Sequence, residues 1–237
     1  MEKVSSLFFS QGCVHDYHGM RINYGTKGMV HITMPKHIKS IIKAEADNME
    51  GIAETSEANH IFAVREYGDT LTGMQADLLQ TFVAKILFVS CQSSPNLKTA
   101  LDFLTMWLRN PYGYYYKKIA RTIRYTRAMW GMDLNLEVDS IDTIWWRINA
   151  KYSVHPDLKG YFGGMMLLGK GAAARKLIRH RINSRRSTRS EIIWVDDHMP
   201  GVLWTLSLLG GQGFKVNKNI VYQNNHSAIL MERNRKY

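Results

Sequence analysis

The sequence predicts an α+β fold: a β-hairpin, a helical region, then a mixed sheet with helices packed against it. Three observations predict it. Apolar and polar residues alternate on both sides of Gly25-Thr26-Lys27-Gly28 in "HDYHGMRINYGTKGMVHITM", the two-residue period of a hairpin. Segments between residues 74 and 128 carry apolar residues at helical spacing. Beyond residue 140 the patterns run β-β-β-α-β-α.

The hairpin leads into "PKHIKSIIKAEA", where Pro35 suits a first helical position and Ile38, Ile41 and Ile42 share a face. Residues 46–72 are polar and weakly patterned, which predicts a long exposed connection. Helices are expected at 74–92, over "NLKTALDFLTMWL" after Pro95, and over "YYYKKIARTIRYTRAM" after Pro111. On the last, Lys117, Arg121, Arg124 and Arg127 recur three or four apart and form one basic stripe. "IDTIWWRINAKYSV" reads as a strand rich in β-branched and aromatic residues. "GGMMLLGKGAAARKLIRHRINS" reads as one or two strands around Gly169-Lys170-Gly171. "RSEIIWVDDHMPGVLWTLSLLGGQG" reads as a helix that Pro200 should kink. "FKVNKNIVYQ" is a strand and "NHSAILMERN" a helix. These patterns divide the chain into regions 1–140 and 141–237.

Charge narrows the partners. The formal net charge is +11 over 237 residues, which favours polyanions, nucleic acid first and an anionic membrane surface second. The two cysteines, Cys13 and Cys91, form no disulfide framework and suit a reducing compartment. No apolar stretch is read as a bilayer span, and the N-terminus lacks a signal-peptide core. The expectation is an intracellular protein, cytoplasmic or nuclear, with no membrane partner.

Most short motifs have plain explanations. "GKGAAARK" lacks the spacing of a phosphate loop and reads as a strand-joining turn. Cys13, His15 and His18 have no second cluster at zinc-site spacing. Asp196 and Asp197 are helix neighbours that point about 100° apart, so they do not share a metal easily. "RKLIRHRINSRRSTR" places Arg175, Arg179, Arg181, Arg185 and Arg186 in a run with no acids, which points to a phosphate backbone.

The order of these stretches carries a resemblance. "HDYHGMRINYGTKGMVHITM", "FVAKILFVS", "SPNLKTALDFLTMWL", "WRINAKYSVHPDLKGYFGGMMLLGKGA", "STRSEIIWVDDHMPGVLW" and "QGFKVNKNIVYQNNHSAILMERN" resemble the C-terminal part of the polyprotein of copia-type long-terminal-repeat retrotransposons. The resemblance runs from about His15 to the end. It implies a thumb and connection of a reverse transcriptase over 1–140, and a ribonuclease H domain, truncated at its C-terminus, over 141–237. The polymerase aspartates would lie upstream, so polymerisation is not expected from this chain alone.

In that family a first-strand Asp, a helix Glu, an Asp at the end of the fourth strand and a last acid hold two Mg²⁺ ions, which cut the RNA strand of a hybrid. The resemblance sets Asn149, Glu191 and Asn224 at the first three positions and the last acid beyond Tyr237. Asn keeps the shape of Asp without its charge, and Mg²⁺ wants anionic oxygen. Arg189 also stands where the family has an acid, and "GYFGG" where it has Ser-His-Thr. The expectation is a catalytically inactive fragment with no bound Mg²⁺ that still binds an RNA/DNA hybrid or duplex. The alternatives are an active hybrid nuclease that uses Glu191, Asp157 or Asp196 as metal ligands, and an accessory subunit of a polymerase chain. Asn149, Glu191 and Asn224 should cluster at one edge of the sheet.

Overall fold

The computed structural model describes residues 11–43, 49–56, 61–65, 68–109, 111–132, 134–151, 159–180 and 186–234. It is a mixed α+β structure, as the periodicities predict, and it holds two sheets where one hairpin and one sheet are expected.

The first sheet begins with β1 (Val14–Tyr17), β2 (Met20–Asn23) and β3 (Met29–Thr33), all antiparallel. The β2–β3 pair is the predicted hairpin. An earlier hairpin, β1–β2, turns at His18-Gly19, both with positive φ (48° and 77°). That backbone matches the twist of two antiparallel strands. A fourth strand, β4 (Leu134–Val138), follows the helical region and pairs with β3.

β7 (Gly169–Lys170) closes the order β1-β2-β3-β4-β7, so a segment from beyond residue 140 completes the N-terminal sheet. Its glycines allow a close approach. A Cβ on Gly169 would sit 2.3 Å from the Glu137 carbonyl oxygen, and one on Gly171 would sit 2.2 Å from that of Asn135.

The helical unit holds α1 (Pro35–Lys43), α2 (Gly73–Gln92), α3 (Lys98–Thr105) and α4 (Gly113–Ala128). Thr72 and Gln75 form a reciprocal capping box at the start of α2. With 20 residues, α2 does reach the length and composition of a membrane span, contrary to the sequence expectation. In this fold its Leu79, Phe82, Val83, Ile86 and Val89 are buried with Leu101 and Phe103 of α3 and Tyr115, Ile119 and Ile123 of α4. The 46–72 connection is not simply exposed either. Met49 and Ile61 join this core, and the buried Ser56 donates to the Asn96 carbonyl at 3.0 Å.

The second sheet has the order β8-β6-β5-β9. β5 (Thr143–Lys151), β6 (Tyr161–Leu167) and β8 (Ala174–Arg179) form an antiparallel meander. α5 (Ser187–Gly211) then crosses over, β9 (Lys218–Tyr222) pairs parallel to β5, and α6 (His226–Arg233) follows. α5 is helical from Ser187 to Gly211 with the exposed Pro200 inside it. It covers one sheet face, burying Trp194 and Val202 against Ile144, Trp146, Ile148 and Phe162. The two units touch where Phe62 meets Tyr161 (centroids 5.9 Å) and Lys151 Nζ lies 4.5 Å from the Phe62 ring.

Candidate functional site

The parallel pairing of β5 with β9 decides which side chains meet. Ile144 lies opposite Asn219, Trp146 opposite Val221 and Arg147 opposite Tyr222. Alternation sends Ile144, Trp146 and Ile148 to the face covered by α5 and leaves Trp145, Arg147 and Asn149 on the other. Trp145 stacks on Tyr222 with centroids 5.5 Å apart.

Glu191, on α5, is 4% exposed. Its Oε2 accepts from Gln223 Nε2 at 3.1 Å, and the Ala150 backbone also bonds the carboxylate. Burial raises the Glu191 pKa, and these two hydrogen bonds oppose the rise. Gln223 Oε1 accepts from the backbone amides of Asn224 at 2.8 Å and Asn225 at 3.2 Å. Asn225 Oδ1 in turn accepts from Ala228 N at 3.0 Å and caps α6. The adjacent amides therefore have separate places: Asn225 is a helix cap, and Asn224 is exposed just past β9.

So Asn149 lies on the first strand of this sheet, Glu191 on the crossover helix and Asn224 beyond the fourth strand. Among the described residues, the Glu191 carboxylate bonds Gln223 and Ala150 rather than Asn149 or Asn224, both of which are exposed. Gln223 is the contact that spacing alone did not reveal. The signal was register: one step past the Arg147–Tyr222 pair, Gln223 falls opposite Ile148, on the helix-covered face.

One buried carboxylate and two amides do not fit a Mg²⁺ pair, which wants several anionic oxygens. No group of three His, Cys, Asp or Glu suited to a metal occurs among the described residues. Asp196, the proposed substitute ligand, is exposed. It lies five residues beyond Glu191, about 140° around α5. Asp157 lies outside the described residues.

Glu191 yields a pH prediction. Its folded pKa stands above the unfolded one, so the buried carboxylate costs stability when ionised. That cost is full above the folded pKa and is relieved as pH falls through it toward the ordinary carboxylate range. Glu191→Gln removes the titration. Urea melts at pH 5 and pH 7 should show the parent gaining more, or losing less, on acidification than the variant. Equal changes in the two proteins would count against a titrating buried Glu191.

The α4 stripe is less bare than its spacing suggested. Lys117, Arg121 and Arg124 line a groove of about 510 Å³ with Ile52, Ala53 and Glu54 on its far wall. Arg121 Nη2 donates to Thr55 Oγ1 at 2.9 Å, and Arg127 Nη1 donates to the Gly51 carbonyl at 2.5 Å. Those two arginines hold the connection in place, and Lys117 is the exposed cation of the stripe. Beside the groove, Lys118 is 5% exposed and donates to the carbonyls of Ile61 and Ala63 at 2.6 and 2.7 Å. It lies among the buried positions Tyr115, Ile119 and Thr122, a placement from which its burial could have been read.

The second basic run is divided. Arg175 and Arg179 lie on β8, two turns of the pleat apart, with Arg179 opposite Tyr161. Arg175 is half-buried, and desolvation lowers its pKa. Lys176 points the other way, 5.7 Å from the Trp194 ring. Arg186 is exposed at the start of α5, and Arg181 and Arg185 lie outside the described residues. No protein-family model, curated protein or solved structure matches this chain.

Proposed function

We propose that this chain is a fragment of a copia-type retrotransposon polyprotein, with a thumb and connection over 1–140 and a ribonuclease H-like domain over 141–237, that binds an RNA/DNA hybrid or duplex without cutting it. One observation carries the reading: positions 149, 191 and 224 fall on the first strand of the second sheet, on the crossover helix and just past the fourth strand, with a single carboxylate left among them. That carboxylate is turned onto Gln223. The groove beside Lys117, Arg121 and Arg124 supplies positive charge for the phosphate backbone.

The test is a labelled RNA/DNA hybrid, followed for binding and for cleavage. If about three cations neutralise phosphates, raising salt from about 50 to 200 mM should weaken binding roughly 40-fold. Lys117→Ala and Arg124→Ala should each weaken it evenly across sequences and lower the salt slope by about one. No cleavage is expected in Mg²⁺ or Mn²⁺. Asn149→Asp with Asn224→Asp should not restore cleavage, because Asn149 stands on the face that α5 leaves uncovered while Glu191 is buried on the helix side. Salt-insensitive binding would remove the phosphate contact. Metal-dependent cutting by the parent, abolished by Glu191→Gln, would show a working nuclease.

A further inference from the structure

The face of β5 and β9 that α5 leaves uncovered carries an aromatic pair and an arginine which the hybrid-binding reading does not use. Tyr222 is 48% exposed although Trp145 stacks on it at an interplanar angle of 15°. The Arg147 guanidinium lies 5.8 Å from the same ring centroid. These three side chains, with Leu167 and Gly169, line a shallow groove of about 270 Å³. Exposed cross-strand aromatics stabilise strand pairing, but that role alone does not require a cation beside the ring or a groove in front of it.

We propose that this face is a stacking platform for single-stranded nucleic acid, with a base on Tyr222 and the backbone running toward Arg147. The proposal rests on the reading that the chain binds nucleic acid, and it names a second substrate form. Aromatic side chains beside cations bind single strands with little sequence preference, because every base offers a π-face. Trp145 holds the Tyr222 ring in a fixed orientation, so less freedom is lost when a base stacks on it. The direction of the strand follows from charge. Asp139 lines the groove at its Gly169 end and repels phosphate there. From Trp145 the same strand face runs through Arg147 to the exposed Asn149, and Asn224 is exposed just past the end of β9. Both amides are uncharged and can donate and accept, so they tolerate phosphates and can meet base edges.

The experiment measures fluorescence anisotropy of a labelled oligothymidine and of an abasic strand of equal length, against the full chain. The two probes carry the same phosphates, so a difference between them reports the bases. The oligothymidine should bind about tenfold tighter than the abasic strand. Tyr222→Leu should remove that difference and leave abasic binding unchanged, and Tyr222→Phe should restore it. Arg147→Ala should weaken both probes. Equal binding of the two probes by the parent, or an unchanged preference in Tyr222→Leu, would overturn the platform. Hybrid binding, followed in parallel with Lys117→Ala, separates the two readings. Its retention without a base preference sinks only the platform, and a base preference without hybrid binding sinks only the hybrid interface.

Discussion

Trp194→Ala is expected to destabilise the protein by about 3–5 kcal/mol, the range for truncating a buried large aromatic. The side chain is fully buried and stacks on Phe162 with centroids 4.9 Å apart and rings 8° from parallel. Its Nε1 donates to the Gly163 carbonyl at 2.9 Å. The slot exists because β6 carries glycine there: a Cβ on Gly164 would stand 3.2 Å from the Trp194 ring and 2.8 Å from that of His198. Truncation opens a cavity between α5 and the sheet and leaves a strand carbonyl without its donor. Glu191 precedes Trp194 by three residues on the same side of α5, so its bond to Gln223 should loosen as well. Urea unfolding with near-ultraviolet circular dichroism reads both effects. A loss below about 1 kcal/mol would mean that α5 is not held on the sheet by this residue.

Much of the second sheet was legible because its strands alternate and its helix is long. The strand at 143–151, the crossover helix and the strand at 218–222 follow from period alone. What escaped was set by tertiary contact. β4 is five residues long, and its Leu134, Leu136 and Val138 alternate too briefly to stand out beside a helical region. The first hairpin depends on His18 taking a positive φ, which a non-glycine residue seldom does. Residues 46–72 look polar in one dimension, yet Met49 and Ile61 reach the core because α4 presents donors to the backbone around them. At the candidate site, position along the chain puts Asn149 on a strand, Glu191 on a helix and Asn224 just past a strand. Direction was harder. Only the β5–β9 register shows that Gln223, not either neighbouring Asn, faces the buried carboxylate.

Lys118→Met should destabilise the protein and abolish a gain in stability between about pH 8 and 10. The ammonium group is buried, with the Tyr114 and Phe103 ring centroids 4.4 and 4.7 Å away. Burial, and then the charge of Arg65, push its pKa down from 10.5 to about 8. The folded pKa is therefore below the unfolded one. Below pH 8 the fold bears the whole cost of the buried charge; as pH rises toward 10.5 the folded state has already lost its proton and the unfolded state has not. A shift of this size corresponds to about 3 kcal/mol gained across the window. Methionine removes that cost but leaves the Ile61 and Ala63 carbonyls without donors. Two charged hydrogen bonds together contribute roughly 3–6 kcal/mol, so the hydrogen bonds win over the relieved desolvation and the net loss at pH 7 should be about 2 kcal/mol. Segment 61–65 should loosen first, and its backbone amides should exchange faster in the variant at pH 7. Melts of parent and variant at pH 7, 8, 9 and 9.5 provide the comparison. If the gap between parent and variant does not widen with pH, Lys118 is not carrying a costly buried charge, and its two carbonyl bonds would have to hold the segment by geometry alone.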